Sequence, residues 1–257
     1  MIRVEDDLPD AVLLDGCAAD LAVSVAAAGG MWLHGGAGHV RLNPAGVILG
    51  WQTTDGAAEA VPTKPNEGHG AWVETDTGCG LQCRTGVHCG LVLPAVLDRL
   101  ERFSMAVLYR ADPGVEARTL LTVNGEGDGG SAPYLFLADY GDSYLVKDTS
   151  EGLSLTALKT PNVQGLRCVL VTLDRGRIAL QDSGGPVQLG EGIPPALPMP
   201  ASLFIGARSH RGGLQKTLGE SVIEDVLIWP GMSLLLPQTA EDEAQRLKLA
   251  RYYLWRR

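Results

Sequence analysis

Short apolar segments that alternate between two faces run through the chain from Met31 to Pro237, separated by turn residues. Phe103, Met105 and Val107, for example, recur at every second position and so share one face of a strand. The chain contains 33 glycines, and clusters of Gly, Asp, Asn and Pro fall between the apolar segments. Many short strands with many turns are typical of a β-sandwich. The sequence therefore predicts an all-β domain over residues 31–257.

The stretch Ser202–Gly231 shows this pattern in its most complete form, as a strand, a long loop and a second strand. The second strand, Val222–Trp229, carries bulky residues on both faces. A strand of this composition has one face in the core and the other face partly covered. This favours a sandwich whose outer surfaces are covered in places by loops or helices.

Charge and composition exclude several functions for a chain of 257 residues. The net charge of −9 argues against nucleic acid as a partner, because the phosphates would repel such a surface. The first ten residues are acidic where a secretory signal would be basic, and no apolar run is long enough for membrane insertion. We therefore expect synthesis in the cytoplasm without a signal peptide, with release by cell lysis as one route out.

The chain has five cysteines, at positions 17, 79, 83, 89 and 168. An odd count without a secretory signal favours free thiols. Cys79, Cys83, His88 and Cys89 form a cluster that could suggest a metal, but the spacing is not a usual one for zinc. Alternation along a strand, with the cysteines as small apolar side chains, also explains this cluster.

Residues 1–30 differ from the rest of the chain and form an N-terminal arm. The segment Ala11–Ala28 is rich in Ala, Val and Leu, and predicts a short helix or an extended arm. Its apolar side chains are too few for a core of their own, so they must bury against the sandwich or against a partner. We expect the arm to be dispensable for folding, joined by a flexible Gly29–Gly30 hinge, and to attach the protein to a particle or to a second copy.

The last segment changes from a strand period to a helical one and predicts a C-terminal helix over residues 239–256. Thr239 can cap this helix, with Asp242 three residues further on. Acidic residues at its start and basic residues at its end suit the helix dipole. The spacing predicts a buried stripe made of Leu247, Ala250 and Leu254.

The segment Gln181–Pro186 resembles the nucleophile segment of chymotrypsin-like proteases, G-D-S-G-G-P. That chemistry needs a histidine base and a buried aspartate beside the serine. No histidine occurs in a suitable segment, and the paired disulfides of that class are missing. A turn at the end of a strand is the interpretation that the sequence favours.

The segment Gly125–Gly130 satisfies G-x-G-x-x-G, but a strand follows it where a dinucleotide site requires a helix. Asn124, Glu126 and Asp128 alternate with glycines, as oxygen ligands for calcium do. No acidic residue stands at the twelfth position of an EF-hand loop. Calcium is a possible cofactor here, and a solvated hairpin loop is the alternative.

Several segments resemble concanavalin A-like, or laminin-G-like, jelly-roll domains of phage and bacterial surface-binding proteins. Trp51–Gly56 resembles their early W-x-D-x-S-G segment, and Phe103–Arg110 their F-T-x-x-x-W-x-R strand. The order F-I-G-x, loop, G-E-x-x-I-E-D-V-x-I-W within Ser202–Gly231 resembles their closing strands. The resemblance implies a two-sheet antiparallel jelly-roll β-sandwich with a C-terminal α-helix, and it implies glycan binding.

Two polar, aromatic loops next to strands supply the candidate glycan-binding residues, Tyr140, Asp142, Tyr144, Arg208 and His210. Sugars are held by aromatic faces and directional hydrogen bonds, so these residue types suit a glycan site. Ordinary turn chemistry is the alternative for each of them.

A glycosidase or lyase of this fold would need paired carboxylates on one strand face. The sequence shows no such pair, and we assign no catalytic residue. Glu224 and Asp225 are adjacent and are expected to point to opposite faces of their strand. We therefore expect a non-catalytic protein that grips cell-surface polysaccharide, as a spike or fibre component of a phage-like particle does. A polysaccharide hydrolase or lyase on the same fold is the alternative.

Overall fold

A computed structural model describes residues 10–67, 70–99, 101–125, 133–194, 196–210 and 215–257. The chain begins with helix α1 (Asp10–Ala27) and ends with helix α2 (Ala240–Arg256). The first strands between them are β1 (Met31–Leu33), β2 (Val40–Leu42), β3 (Ile48–Gln52), β4 (Glu59–Pro62), β5 (Ala71–Thr75), β6 (Gly78–Cys83), β7 (Leu91–Leu97) and β8 (Arg102–Arg110). The later strands are β9 (Arg118–Gly125), β10 (Tyr134–Asp139), β11 (Ser143–Asp148), β12 (Ser154–Leu158), β13 (Arg167–Asp174), β14 (Arg177–Asp182), β15 (Gln188–Glu191), β16 (Ala201–Ile205) and β17 (Ser221–Pro230).

The strands form two antiparallel sheets, which confirms the predicted sandwich. One sheet has eight strands in the order β15-β14-β13-β8-β17-β6-β5, with β1 also paired to β17. The other sheet has nine strands in the order β12-β11-β10-β9-β16-β7-β4-β3-β2. Neighbours in the sheets are often distant in sequence, as in β8 beside β17 and β9 beside β16. No helix in the described part of the chain is long and apolar enough to cross a membrane.

The main core lies between the two sheets and follows the predicted alternation. Phe103, Met105 and Val107 of β8 are fully buried in it, together with Leu121 and Val123 of β9. Intervening residues of β8 point to the other side of the sheet and join a second apolar cluster. Each central strand is therefore buried on both faces, as its bulky composition indicates.

Helices α1 and α2 cover the outer surface of the eight-stranded sheet and form that second cluster. Leu21 and Val25 of α1 are buried there, whereas Val23 is 72% exposed. Leu21 and Val25 thus pack on the chain's own sandwich, so removing α1 is expected to lower the stability.

The junction after α1 is a tight cap, and the expectation of a flexible hinge there is wrong. The amide of Gly29, which has φ +68°, donates to Ala26 O, and the amide of Gly30 donates to Val25 O. This pattern is a Schellman motif. A Cβ on Gly30 would lie 2.9 Å from Ile228 O, so the backbone there is packed directly against β17.

Helix α2 begins at the predicted cap, because the Thr239 hydroxyl accepts from the amide of Asp242. The predicted buried stripe is wrong: Leu247 is 50% exposed and Leu254 is 69% exposed, and Ala250 is exposed as well. The buried face instead contains Leu249, Tyr252 and Tyr253. The reason is that the tyrosine hydroxyls find acceptors in Asp225 of β17 and in Leu166 O, directly before β13.

Candidate functional site

The segment that follows β16 lies on the outer face of the nine-stranded sheet, the face that points away from the core. Two rows of side chains cross this face in register. The first row consists of Lys147, Phe136, Thr122 and Phe204, and the second of Tyr134, Asn124 and Ser202. Because Leu135 and Leu137 alternate with these residues and enter the core, the aromatic rings must face outward.

Arg208 is the centre of this surface. Its guanidinium carbon lies 3.7 Å from the centroid of the Phe136 ring and 6.0 Å from that of Tyr134. Its Nε donates to Thr119 Oγ1 over 3.2 Å. A guanidinium stacked on an aromatic face and held by one hydrogen bond keeps a defined orientation.

His210 and Asn124 complete this surface. The ring of His210 packs edge-on against Phe204, with centroids 5.0 Å apart, and its Nδ1 accepts from the amide of Lys64. The side-chain amide of Asn124 donates to Arg208 O over 3.0 Å. We call this surface, made of Asn124, Tyr134, Phe136, Arg208 and His210, the Arg208 platform. It brings together two predicted glycan-binding residues and one predicted calcium ligand.

Tyr140 lies beside the platform, and Asp142 lies on the exposed turn next to it. The half-buried ring of Tyr140 has the guanidinium carbon of Arg118 at 5.4 Å from its centroid. Arg118 directly precedes Thr119, the residue that holds the Arg208 side chain. The Asp142 side chain is exposed, and its backbone amide donates to Tyr140 O.

Tyr144 lies in the core, and its prediction as a glycan-contacting residue is wrong. Its side chain is fully buried between the sheets, and its hydroxyl lies 3.0 Å from that of Tyr109, which donates to Asp139 Oδ2. Lys159 pairs with Asp139 over 2.7 Å. Burial, with the nearby Asp182 carboxylate, raises the pKa of Tyr144. The period of β11 turns Tyr144 inward together with Val146, so a sugar on the surface cannot reach it.

The predicted calcium site is represented only by Asn124, since Glu126 and Asp128 lie outside the described residues. The Asn124 amide is already bonded to Arg208 O. Within the described ranges, no three His, Cys, Asp or Glu side chains are grouped so that they could share a metal ion. Calcium at this loop stays a prediction.

The segment Gln181–Pro186 forms a turn at the end of β14. The Ser183 hydroxyl donates to Asp182 Oδ1 over 2.7 Å, and Asp182 is bound by Arg167 over 2.6 Å. Among the described residues, Ser183 therefore contacts its neighbouring aspartate and no histidine. The arrangement closes the strand end and differs from a Ser-His-Asp triad.

Glu224 and Asp225 do not point to opposite faces, which corrects the prediction made for them. A β-bulge between Ile223 and Asp225 inserts Glu224 as an extra residue, and both buried carboxylates then reach Arg256. Glu224 also accepts from Arg110 Nε over 2.6 Å. This cluster ties the C-terminal end of α2 to the sheet, and cations occupy the carboxylates that a catalytic pair would need.

The sequence reasoning missed Tyr134 and Phe136, which form the floor of the platform, and Thr119, which holds the Arg208 side chain. The available signal was that β10 carries large side chains on both faces, so its outer face had to be covered. The local sequence pattern could not show that the segment after β16 covers this face, because the contact joins Arg208 to Phe136, about seventy positions away.

Comparison with known proteins identifies the fold. No family model and no curated protein matches the chain. Among solved structures, Trypanosoma rangeli sialidase in complex with sialic acid matches with a TM-score of 0.54 and 16% identity over 97% of this chain. A mutant of that sialidase displaying trans-sialidase activity matches with a TM-score of 0.53 and 16% identity over 87% of this chain. The chain spans only 40% and 33% of the length of these two proteins.

A third structure has a length closer to that of this chain. Domain 4 of an extracellular GH43 arabinanase from Geobacillus stearothermophilus, in complex with arabinotriose, matches with a TM-score of 0.52 and 14% identity. The match covers 69% of this chain and 85% of that domain. These neighbours are sialidases and a domain of an arabinanase, and so are related to carbohydrates. The chain has the concanavalin A-like, jelly-roll type of β-sandwich.

Proposed function

We propose that the protein is a non-catalytic glycan-binding module and that the Arg208 platform is its binding surface. The observation that carries this proposal is that the half-buried Tyr134 ring lies beside the Arg208 guanidinium, while the half-buried His210 ring packs on Phe204 of the same sheet face. Aromatic rings stack on the C–H faces of sugars, and guanidinium and imidazole N–H groups bind their oxygens.

The carboxylates of the described core do not support glycoside hydrolysis. Most glycosidases, apart from classes such as the sialidases, use two carboxyl groups that face the scissile bond in an open cleft. Asp139 and Asp182 are instead buried in ion pairs with Lys159 and Arg167. Glu224, which is also buried, is bound by two arginines.

The solved neighbours are consistent with binding by a module of this size. The arabinanase domain was obtained with arabinotriose bound, and this chain covers most of it. The sialidases are two to three times as long as the part that this chain matches. We therefore place glycan binding, and not cleavage, first.

A glycan array followed by titration calorimetry with the best ligand tests this proposal. Replacing Tyr134 with alanine removes the stacking ring, and we expect it to weaken binding roughly tenfold, the equivalent of about 1.4 kcal/mol. Leu189→Ala is the matched control, because this residue is 64% exposed on the other sheet. Equal affinities of the two variants would show that the platform is not the binding surface.

A polysaccharide hydrolase or lyase is the second candidate, favoured by the glycosidase names of the solved neighbours. Incubation with mixed polysaccharides, followed by an assay for new reducing ends, separates the two functions. Product release that rises with protein concentration would replace binding by catalysis as the conclusion.

Attachment to a phage-like particle through residues 1–30, with cytoplasmic synthesis and release by lysis, is our proposal for the wider setting. It is supported by the composition of residues 1–30, which differs from that of the strands that follow. Co-sedimentation of the protein with particles after gentle lysis tests it. A protein that is monomeric and free of particles would favour a free lectin over a particle component.

A further inference from the structure

Among the described residues, the Arg208 guanidinium differs from Arg118 and Lys147 in having no acidic partner. Arg118 pairs with Glu116 over 2.5 Å, and Lys147 pairs with Glu151 over 2.8 Å. Within the described part of the chain, no carboxylate lies within ion-pair distance of Arg208. On a chain with a net charge of −9, this arginine is therefore a local positive site that the described residues leave uncompensated.

The geometry leaves one edge of this guanidinium available. Its Nε is used by Thr119 Oγ1, and its face is used by the Phe136 ring. The two Nη groups have no acceptor among the described residues, and they form the end-on fork that matches the two oxygens of a carboxylate. Arginine held flat in this way presents a preformed bidentate site, so little side-chain entropy is lost on binding.

The surroundings of the fork fit a sugar. The Tyr134 ring lies 6.0 Å from the guanidinium carbon, a separation that suits a carboxyl group on a sugar ring stacked on the tyrosine. His210 accepts a hydrogen bond at Nδ1, so its neutral ring carries the proton at Nε2 and can donate to a further oxygen.

We infer that the Arg208 platform selects acidic glycans, in which a uronate or similar sugar carboxylate binds the two Nη groups of Arg208 while its ring contacts Tyr134. This inference rests on the proposed glycan-binding function and names its ligand class. Its alternative is a packing role, in which Arg208 only covers Phe136.

The test uses the whole protein and matched pairs of polymers. Polygalacturonate, alginate and hyaluronate are each compared with their carboxyl-reduced form, which keeps the linkage and replaces the carboxylate by a hydroxymethyl group. We expect at least one acidic polymer to bind ten times or more tightly than its reduced form, with an affinity that falls as salt is raised. Dextran sulfate is tested alongside them, to distinguish recognition of a carboxylate from recognition of a sulfate.

Three variants assign any preference to Arg208. Arg208→Met keeps a stem over Phe136 but removes the charge, and we expect it to abolish the preference for the acidic form. Arg208→Lys keeps the charge but loses the fork, and we expect a roughly tenfold loss of affinity. Arg251→Met removes an exposed arginine of α2 and is expected to change nothing.

Four other results would overturn the inference, and they differ in what they imply for the proposed function. A preference for acidic polymers that persists in both Arg208 variants overturns the inference, as does stronger binding to dextran sulfate than to any polyuronate. Binding to neutral glycans with no acid-selective pair overturns it and leaves the proposed function standing. Failure to bind any glycan on the array, acidic or neutral, overturns both. Loss of thermal stability in Arg208→Met with unchanged acid selectivity identifies the packing role.

Discussion

Replacement of Arg256 by methionine removes one charge from the most deeply buried ionic cluster in the described structure. Glu224 and Asp225 are fully buried, and Arg256 contacts both, at 2.5 Å and 3.6 Å. Arg110 is the second cation, at 2.6 Å from Glu224. The cluster thus holds two carboxylates and two guanidiniums, and the variant leaves one surplus negative charge in the interior.

The size of the effect follows from that surplus charge. Breaking a buried ion pair by removing one partner costs about 3–5 kcal/mol, because the remaining charge is neither solvated nor paired. For a chain of this length, that loss lowers the melting temperature by roughly 6–20 °C. Asp225 keeps its bonds from Trp32 Nε1 and the Tyr252 hydroxyl, and Glu224 keeps those from Thr77 Oγ1 and Arg110 Nε. The variant therefore removes one charge together with the single hydrogen bond that Arg256 donates to Glu224.

Urea unfolding at pH 7, followed by tryptophan fluorescence, measures the free energy of unfolding of Arg256→Met. Arg251→Met, which removes an exposed arginine from the same helix, is the control and should stay within about 0.5 kcal/mol of the parent. Adding Asp225→Asn to Arg256→Met removes the surplus charge and should recover part of the loss. A loss below about 1 kcal/mol, or no recovery in the double variant, would refute the account of this cluster.

Three further substitutions test the packing of the N-terminal part of the chain. Leu21→Ala in α1 should lower the free energy of unfolding by about 2–5 kcal/mol in urea titrations, whereas exposed Val23→Ala should change it little; equal effects would mean that α1 is not part of the domain. Burial lowers the pKa of His34, so the unfolded chain binds more protons and stability should fall as pH drops below about 6.5, by up to about 1.4 kcal/mol per pH unit. His34→Asn should flatten that pH dependence, and an unchanged slope would exclude His34 as its source. Gly35→Ala should lower the free energy of unfolding by about 1–3 kcal/mol in urea titrations, because the added Cβ would lie 2.4 Å from one carbonyl oxygen and 2.5 Å from another. Gly38→Ala is the control: its Cβ would have no atom within 4 Å, and the free energy of unfolding should not change.

The candidate site was predictable in its residue types and only partly in its residues. Arg208 and His210 were identified because they follow a strand and carry the right chemistry, and the structure places both on one surface. Tyr144 met the same criteria and lies in the core. Tyr144 is the second residue of β11, and a shift of one position in the predicted start of a strand exchanges its inward and outward faces. The sequence therefore could not show whether this tyrosine faces the core or the surface.

Local periodicity was also insufficient where several faces of an element were apolar. Helix α2 has one candidate stripe through Leu247 and Leu254 and another through Leu249 and Tyr252. The sheet selects the second, since Asp225 offers an acceptor to the Tyr252 hydroxyl. That choice depends on a residue from a different strand, which no helical pattern contains.

The sequence by itself determined the elements of this protein: short alternating strands, the turns between them, the sandwich class and the capped C-terminal helix. These follow from interactions between residues a few positions apart, such as the Thr239 cap and the period of β8. Tertiary structure alone decided which surfaces are covered, where the bulge at Glu224 falls, and that Arg208 lies on Phe136. The physical reason is that register, bulges and covered faces are set by contacts between distant segments, whose energies a local pattern does not record.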